Sequence, residues 1–308
     1  MSETGTCTLH LQAVAFVVLL LRLAPVTQAS VQQLPGCPDK CGDINVPYPF
    51  GIGARCARDS GFELTCDQSY SSPRLLSRYG QHLVKLSLAD GEAIALLNAT
   101  RQCYNSTEDL VFVDSSTQNY MPLDGSTYRF SAARNRFVAL GCPNLGYFVD
   151  STGYYLSGCT SICRPVQSRT ASSGGCTGEG CCQIKIPQNM DYYEQHILSF
   201  KPGQGDPIFQ GDKTYCRYVF LADEKWIETT YRDRPDFNRT DDFTVHVVID
   251  WAIRNVGNCN AAKLNKTADY ACRYSHSDCV NSTNGAGYRC NCFDGYKGNP
   301  FPRRRMRR

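Results

Sequence analysis

Cys37-Pro-Asp-Lys-Cys41-Gly-Asp-Ile-Asn-Val-Pro47-Tyr48-Pro49-Phe50-Gly51-Ile-Gly53 is the most specific local string in the chain. Pro47 and Pro49 fix φ at about −65° and hold the backbone extended, so Tyr48 and Phe50 project in defined directions. Gly51 and Gly53 then permit a sharp turn. A rigid aromatic pair has two uses. It is a platform on which sugar rings stack, or it plugs the core of a small module. The second use is the commoner one, because aromatic rings supply much of the buried area of small domains.

Working outward, cysteine sets the class. The chain holds 18 cysteines in 308 residues. A cytosolic protein would leave those thiols reduced, so the expectation is an extracellular, disulfide-rich protein. Residues 1–29 read as a signal peptide. Ala13 to Leu21 is an unbroken apolar run too short to span a bilayer, Arg22 ends it, and Thr27 and Ala29 are small residues placed for cleavage after Ala29. Setting Cys7 aside with this leader leaves an odd number. Twelve cysteines lie from Cys37 to Cys216, and five more are Cys259, Cys272, Cys279, Cys290 and Cys292. Asn-x-Ser/Thr sequons at Asn98, Asn105, Asn238, Asn265 and Asn281 agree with a secreted glycoprotein.

The net charge of +3 comes from the end of the chain. Residues 30–302 carry 26 Lys/Arg against 28 Asp/Glu, and the tail 303–308 adds five arginines. Without a basic patch in the body, nucleic acid is excluded as a partner.

The body reads as mostly β, with short hairpins and little helix. Along 244–253, Val245, Val247, Ile249 and Trp251 fall on one face and Thr244, His246 and Asp250 on the other. Residues 82–88 and 93–97 flank an Asp90-Gly91 turn. Residues 128–131 and 136–140 suggest a second hairpin, and 217–222 a further strand. Only 223–232 suits a helix, and 168–180 reads as a Ser/Thr/Gly-rich loop.

The opening string resembles the galacturonan-binding domain of plant wall-associated receptor kinases. Gly141-Cys142, Cys159 to Cys163, Gly180-Cys181-Cys182-Gln183, Cys216 to Leu221 and Val248 to Ile253 resemble that family's second cysteine-rich region. The last five cysteines, with Gly295-Tyr296-Lys297-Gly298 after them, resemble an epidermal growth factor-like module lacking its sixth cysteine. Boundaries drawn at the cysteines give domains at 30–140 and 141–258 and a truncated module at 259–302, followed by the basic tail 303–308. The resemblance implies the pairs Cys259–Cys279 and Cys272–Cys290, with Cys292 as a free thiol and the segment from Cys292 to Arg308 loose. It implies an ectodomain contacting cell-wall pectin or oligogalacturonides. The family's calcium-binding module, membrane span and Ser/Thr kinase are not in this sequence. The expected location is therefore the cell wall or extracellular space, or the outer face of the plasma membrane if a longer product with a span exists.

Pectin is a polyanion, and Arg pairs with carboxylates bidentately. Residues 37–103 carry Lys40, Arg55, Arg58, Arg74, Arg78, Lys85 and Arg101, balanced by seven acidic residues. Only clustering can make a site, and Arg55/Arg58 and Arg74/Arg78 are the clusters. The candidate ligand-binding set is Arg55, Arg58, Arg74, Arg78, Lys85 and Arg101 with Tyr48 and Phe50. His82, His196, His246 and His276 fall in no catalytic motif, and no kinase loop occurs, so no enzyme is expected. The Cys290/Cys292 and Cys181/Cys182 pairs read as disulfide cysteines rather than metal ligands. No metal or cofactor is expected. Two functions follow: non-enzymatic binding of pectin, or a secreted decoy or protein-binding ectodomain without sugar affinity.

Overall fold

The computed structural model describes residues 8–9, 33–104, 110–113, 119–141, 143–162, 176–198, 215–232, 244–264, 270–272 and 276–301. The tail 303–308, most of the leader, the sequons at Asn105, Asn238 and Asn265, and residues 168–175 of the expected loop lie outside these. The protein is mostly β and rich in disulfides, and the helix Glu224–Arg232 lies where the sequence favours one. Seven disulfides join described cysteines: Cys37–Cys56, Cys41–Cys66, Cys103–Cys216, Cys159–Cys182, Cys176–Cys181, Cys259–Cys279 and Cys272–Cys290.

The chain forms two compact units, Met1–Ala93 with Trp251–Arg308, and Ile94–Asp250. This division differs from the one drawn at the cysteines. Residues 259–301 share a unit with the first cysteine-rich segment, because the chain returns at Trp251 to that segment's core. The Trp251 ring meets the edges of Phe50 at 5.2 Å and Phe62 at 6.0 Å between centroids, and its indole N–H donates to the Ser87 carbonyl at 3.0 Å.

In the first unit, Lys40–Cys41 and Ile44–Asn45 form a small hairpin turned at Gly42, whose φ is +56°. Gly51–Ile52 runs parallel to Glu63–Asp67. Arg74–Ser77 then pairs antiparallel with Glu63–Asp67 on one side and His82–Ser87 on the other. A side chain at Gly51 would collide with the Cys56 backbone at 2.1 Å, so only glycine lets the loop containing Cys56 fold back there. Phe50, Phe62, Leu75, Leu83 and Trp251 make a closed core.

The module at the end is joined to this core. Ser277–Asn281 and Tyr288–Cys292 form its hairpin. The Asn299 amide donates to the Tyr48 carbonyl at 2.7 Å, and the buried Phe301 ring meets Tyr48 edge-on at 6.2 Å. Arg289 donates to the Asp90 carbonyl at 2.5 Å. The expected looseness after Cys292 is therefore wrong for residues up to Phe301. Tyr296–Lys297 also pairs with the two-residue strand Thr8–Leu9. Cys292 is itself disulfide-bonded and not a free thiol. The odd count that left Cys292 unpaired therefore does not hold.

In the second unit, an antiparallel sheet orders Leu110–Val113, Thr100–Tyr104, Tyr215–Asp223, Asn135–Leu140 and Cys181–Lys185. Cys103 and Cys216 are directly opposed in this ladder. A four-stranded sheet orders Tyr120–Pro122, Tyr192–Ile197, Asn144–Val149 and Tyr155–Ser161. Thr244–Trp251, whose Val245, Val247, Ile249 and Trp251 are all buried, lies between Tyr128–Phe130 and Glu92–Asn98. Phe137, Phe148 and Tyr193 pack together between these layers, with centroids 5.0 to 6.4 Å apart.

The second expected hairpin is not formed. Tyr128–Phe130 and Asn135–Leu140 are strands, but they belong to different sheets. The buried Asn135 amide makes a two-way bond with the Val248 backbone, at 2.7 and 2.9 Å, and Ser131 N–H also donates to Val248. The turn residues thus bond to a third strand instead of continuing a ladder between their own two.

Candidate functional site

Strand Arg74–Ser77 alternates: Arg74 and the following Arg78 are exposed, while Leu75 and Ser77 are buried. Period-2 geometry puts Arg74 and the half-buried Leu76 on the same outward face, and Arg78 is exposed in the turn that follows. That turn fixes Arg78 and Tyr79. Gly80 N–H donates to Ser77 O at 2.9 Å, the Ser77 hydroxyl donates to the Gln81 side chain, and Tyr79 N–H donates to that hydroxyl at 3.2 Å.

Arg74 is held from below. Its guanidinium carbon stands 3.5 Å from the centroid of the Tyr70 ring, a cation–π contact that pins the fork. Asp67 is its cross-strand partner. The Asp67 carboxyl is kept below its ordinary range by the Ser69 backbone N–H, 2.9 Å away, then by the Ser69 side chain and by the Arg74 charge. His82 lies opposite Leu76. Partial burial, and then Arg74, push its pKa below the ordinary value. Tyr70 and Tyr79 are each 45% exposed. The surface thus offers two guanidinium groups and two tyrosine rings. It can pair carboxylates and stack sugar rings, and nothing in it abstracts a proton or attacks a bond.

The other expected residues are not gathered there. Arg55 is exposed, while Arg58 is half-buried and ion-paired with Asp59 at 3.6 Å. Lys85 is exposed but lies two residues beyond Leu83, which is paired with the inward Leu75. It therefore projects from the opposite face to Arg74. Arg101 is 3% exposed, inside the second unit, and is no surface cation. Tyr48 and Phe50 are buried, at 6% and 0%, so the rigid aromatic pair is core and not a sugar platform. Sequence reasoning missed Tyr70 and Tyr79. The signal was available in Tyr70-Ser-Ser-Pro-Arg74 and Arg78-Tyr79-Gly80, where turn residues place an aromatic beside each arginine.

Of the sequons within the described residues, Asn281 is exposed and its side-chain Oδ1 accepts the Cys259 N–H at 2.8 Å. Asn98 is half-buried at a strand end. Among the described residues no His/Cys/Asp/Glu cluster fit for a metal ion occurs, and no helix is long and apolar enough to cross a membrane.

Residues 37–89 match the family of the wall-associated receptor kinase galacturonan-binding domain. Wall-associated receptor kinase 2 of Arabidopsis thaliana is 30% identical over 294 residues, covering 93% of this chain and 36% of its own length. Wall-associated receptor kinase 4 of the same plant is 29% identical over 291 residues, with 93% and 36% covered. Wall-associated receptor kinase-like 4 is 27% identical over 320 residues, with 96% and 40% covered. No solved structure matches the chain. Carrying that domain, and similar along nearly all of its length, the chain is related to the wall-associated receptor kinases and spans somewhat over a third of their length.

Proposed function

We propose that the chain binds de-esterified pectin, the polymer of galacturonate, outside the cell and catalyses no reaction. One observation carries this: the segment matching the galacturonan-binding family, 37–89, is the segment that presents Arg74 and Arg78 with Tyr70 and Tyr79. Each guanidinium pairs a uronate carboxylate while a neighbouring ring takes the apolar face of the sugar. Single contacts of this exposed kind are weak, so affinity grows with the number of sugar residues engaged at once. The extracellular location, N-glycans on the sequons and the ectodomain role belong to the same proposal. The similarity covers about a third of the relatives' length, and this sequence carries no kinase loop, which supports a binding rather than an enzymatic role.

Retention of the full chain on a pectate matrix tests it. Retention is expected at low salt, falling as salt screens the charges. The Arg74→Ser/Arg78→Ser double variant should lose most of it without a change in Tm, whereas Lys85→Ser, on the opposite face, should not. Absence of retention by the intact chain at low salt would overturn the proposal. Unchanged retention by the double variant would overturn the site.

A further inference from the structure

The second unit carries another ordered aromatic surface, independent of the first. On the four-stranded sheet, residues paired across strands share a face. Tyr120 is opposite Glu194, and Tyr147 is opposite His196. Within strand Tyr192–Ile197 the residues Tyr193, Gln195 and Ile197 are buried, so Tyr192, Glu194 and His196 face outward. Tyr120 stacks on Tyr192 with centroids 6.3 Å apart and planes at 17°. The Tyr192 hydroxyl donates to one Glu194 oxygen at 2.8 Å, and His196 Nε2 lies 3.2 Å from the other. His196 stacks on Tyr147 at 5.1 Å and 20°, and Tyr147 meets Tyr155 at 6.1 Å. These contacts form one unbroken line across all four strands, roughly 14 Å at the usual strand spacing.

Tyr120 is 44% exposed and Tyr155 64% exposed, so both ends of the line are open to solvent. The rings are not free rotors, because each is fixed by its neighbour in the line. Gly158 stands opposite Tyr147, where a side chain would come within 2.4 Å of the Gly146 carbonyl, so that position keeps the surface flat. Charge decides the ligand. None of the four strands contains Lys or Arg, and the carboxylate in the middle of the line is Glu194. A polyanion is repelled here. A neutral pyranose chain, with apolar C–H faces for the rings and hydroxyls for Glu194, Tyr192 and His196, is matched.

We infer that the outer face of this sheet, from Tyr120 through Tyr192, His196 and Tyr147 to Tyr155, is a binding site for a neutral oligosaccharide. The site does not depend on the galacturonate reading of residues 37–89. The two surfaces together would let one chain hold a charged and an uncharged glycan at once.

Titration of the full chain with cellohexaose and with fully methyl-esterified oligogalacturonide, followed by calorimetry at low and high salt, tests this. Binding of at least one neutral chain, insensitive to salt, is expected. Tyr155→Ala and Tyr120→Ala, both at exposed positions, should each weaken it about three- to tenfold while leaving Tm unchanged. Arg74→Ser/Arg78→Ser should leave it intact even as pectate retention is lost, which separates this site from the first. No neutral-chain binding by the folded intact chain would overturn the inference. So would undiminished binding in both tyrosine variants. Self-association that Tyr155→Ala abolishes, in the absence of glycan binding, would assign the face to a second copy of the chain and also overturn it.

Discussion

Tyr48 and Tyr70 lie in the same cysteine-rich segment and have opposite fates. Tyr48 sits in a rigid Pro-Tyr-Pro string and is buried against Phe301, its own carbonyl accepting the Asn299 amide. Tyr70 sits in a Ser-rich turn, is 45% exposed, and lies beneath Arg74. Local rigidity therefore does not make an aromatic residue a ligand contact. Its place relative to the returning chain does. The segment 251–301 comes back and covers the rigid pair, and leaves the turn tyrosine beside its arginine.

Three changes sharpen or break this contrast. The largest effect is expected for Phe50→Ala. Phe50 is fully buried between Phe62 and Trp251, and truncating a core Phe costs about 3–5 kcal/mol. Urea unfolding should show that loss. A normal midpoint would mean that the core lies elsewhere. Tyr70→Ala should do the reverse, leaving the unfolding midpoint within about 0.5 kcal/mol of wild type, as is usual at exposed positions, and weakening pectate retention severalfold by releasing the Arg74 fork. A large loss of stability in this variant would erase the distinction between the two tyrosines. The smallest effect concerns His82. Partial burial, then Arg74, lower its pKa from 6.5. The folded state thus holds this proton less tightly than the unfolded chain. The associated stability is present above about pH 6.5 and is lost as pH falls through the lowered folded value. Arg74→Ser should move the His82 titration, followed by its imidazole resonances, upward toward 6.5. An unmoved titration would show that the Arg74 charge is not felt there.

The fold class was legible because disulfide density and period-2 alternation are local signals. The burial of Val245, Val247, Ile249 and Trp251 follows directly from their spacing. What was not legible depends on distant partners. Arg101 is basic and reads as surface, but its strand is paired on both sides inside a sheet. Asn135 reads as a turn residue, but its amide bonds Val248, 113 positions away. Lys85 and Arg74 both read as exposed cations, and only the strand register shows that the sheet separates them. Of the candidate site, the Arg74/Arg78 spacing was readable. The tyrosines beside these arginines were not, because whether an aromatic residue is buried or exposed depends on where the returning segment 251–301 packs.

The way the chain re-enters its first unit has a mechanical meaning. Trp251 N–H donates to the Gly91 carbonyl at 3.0 Å, so the points at which the backbone departs for residues 94–250 and comes back are clamped to each other. Asn299 and Arg289 tie the last module to the carbonyls of Tyr48 and Asp90. A pull applied between Arg74 and Phe301 is then borne by these short ties, without passing along the backbone of residues 94–250. The tie at Tyr48 and the clamp at Gly91 are the hydrogen bonds on that short path.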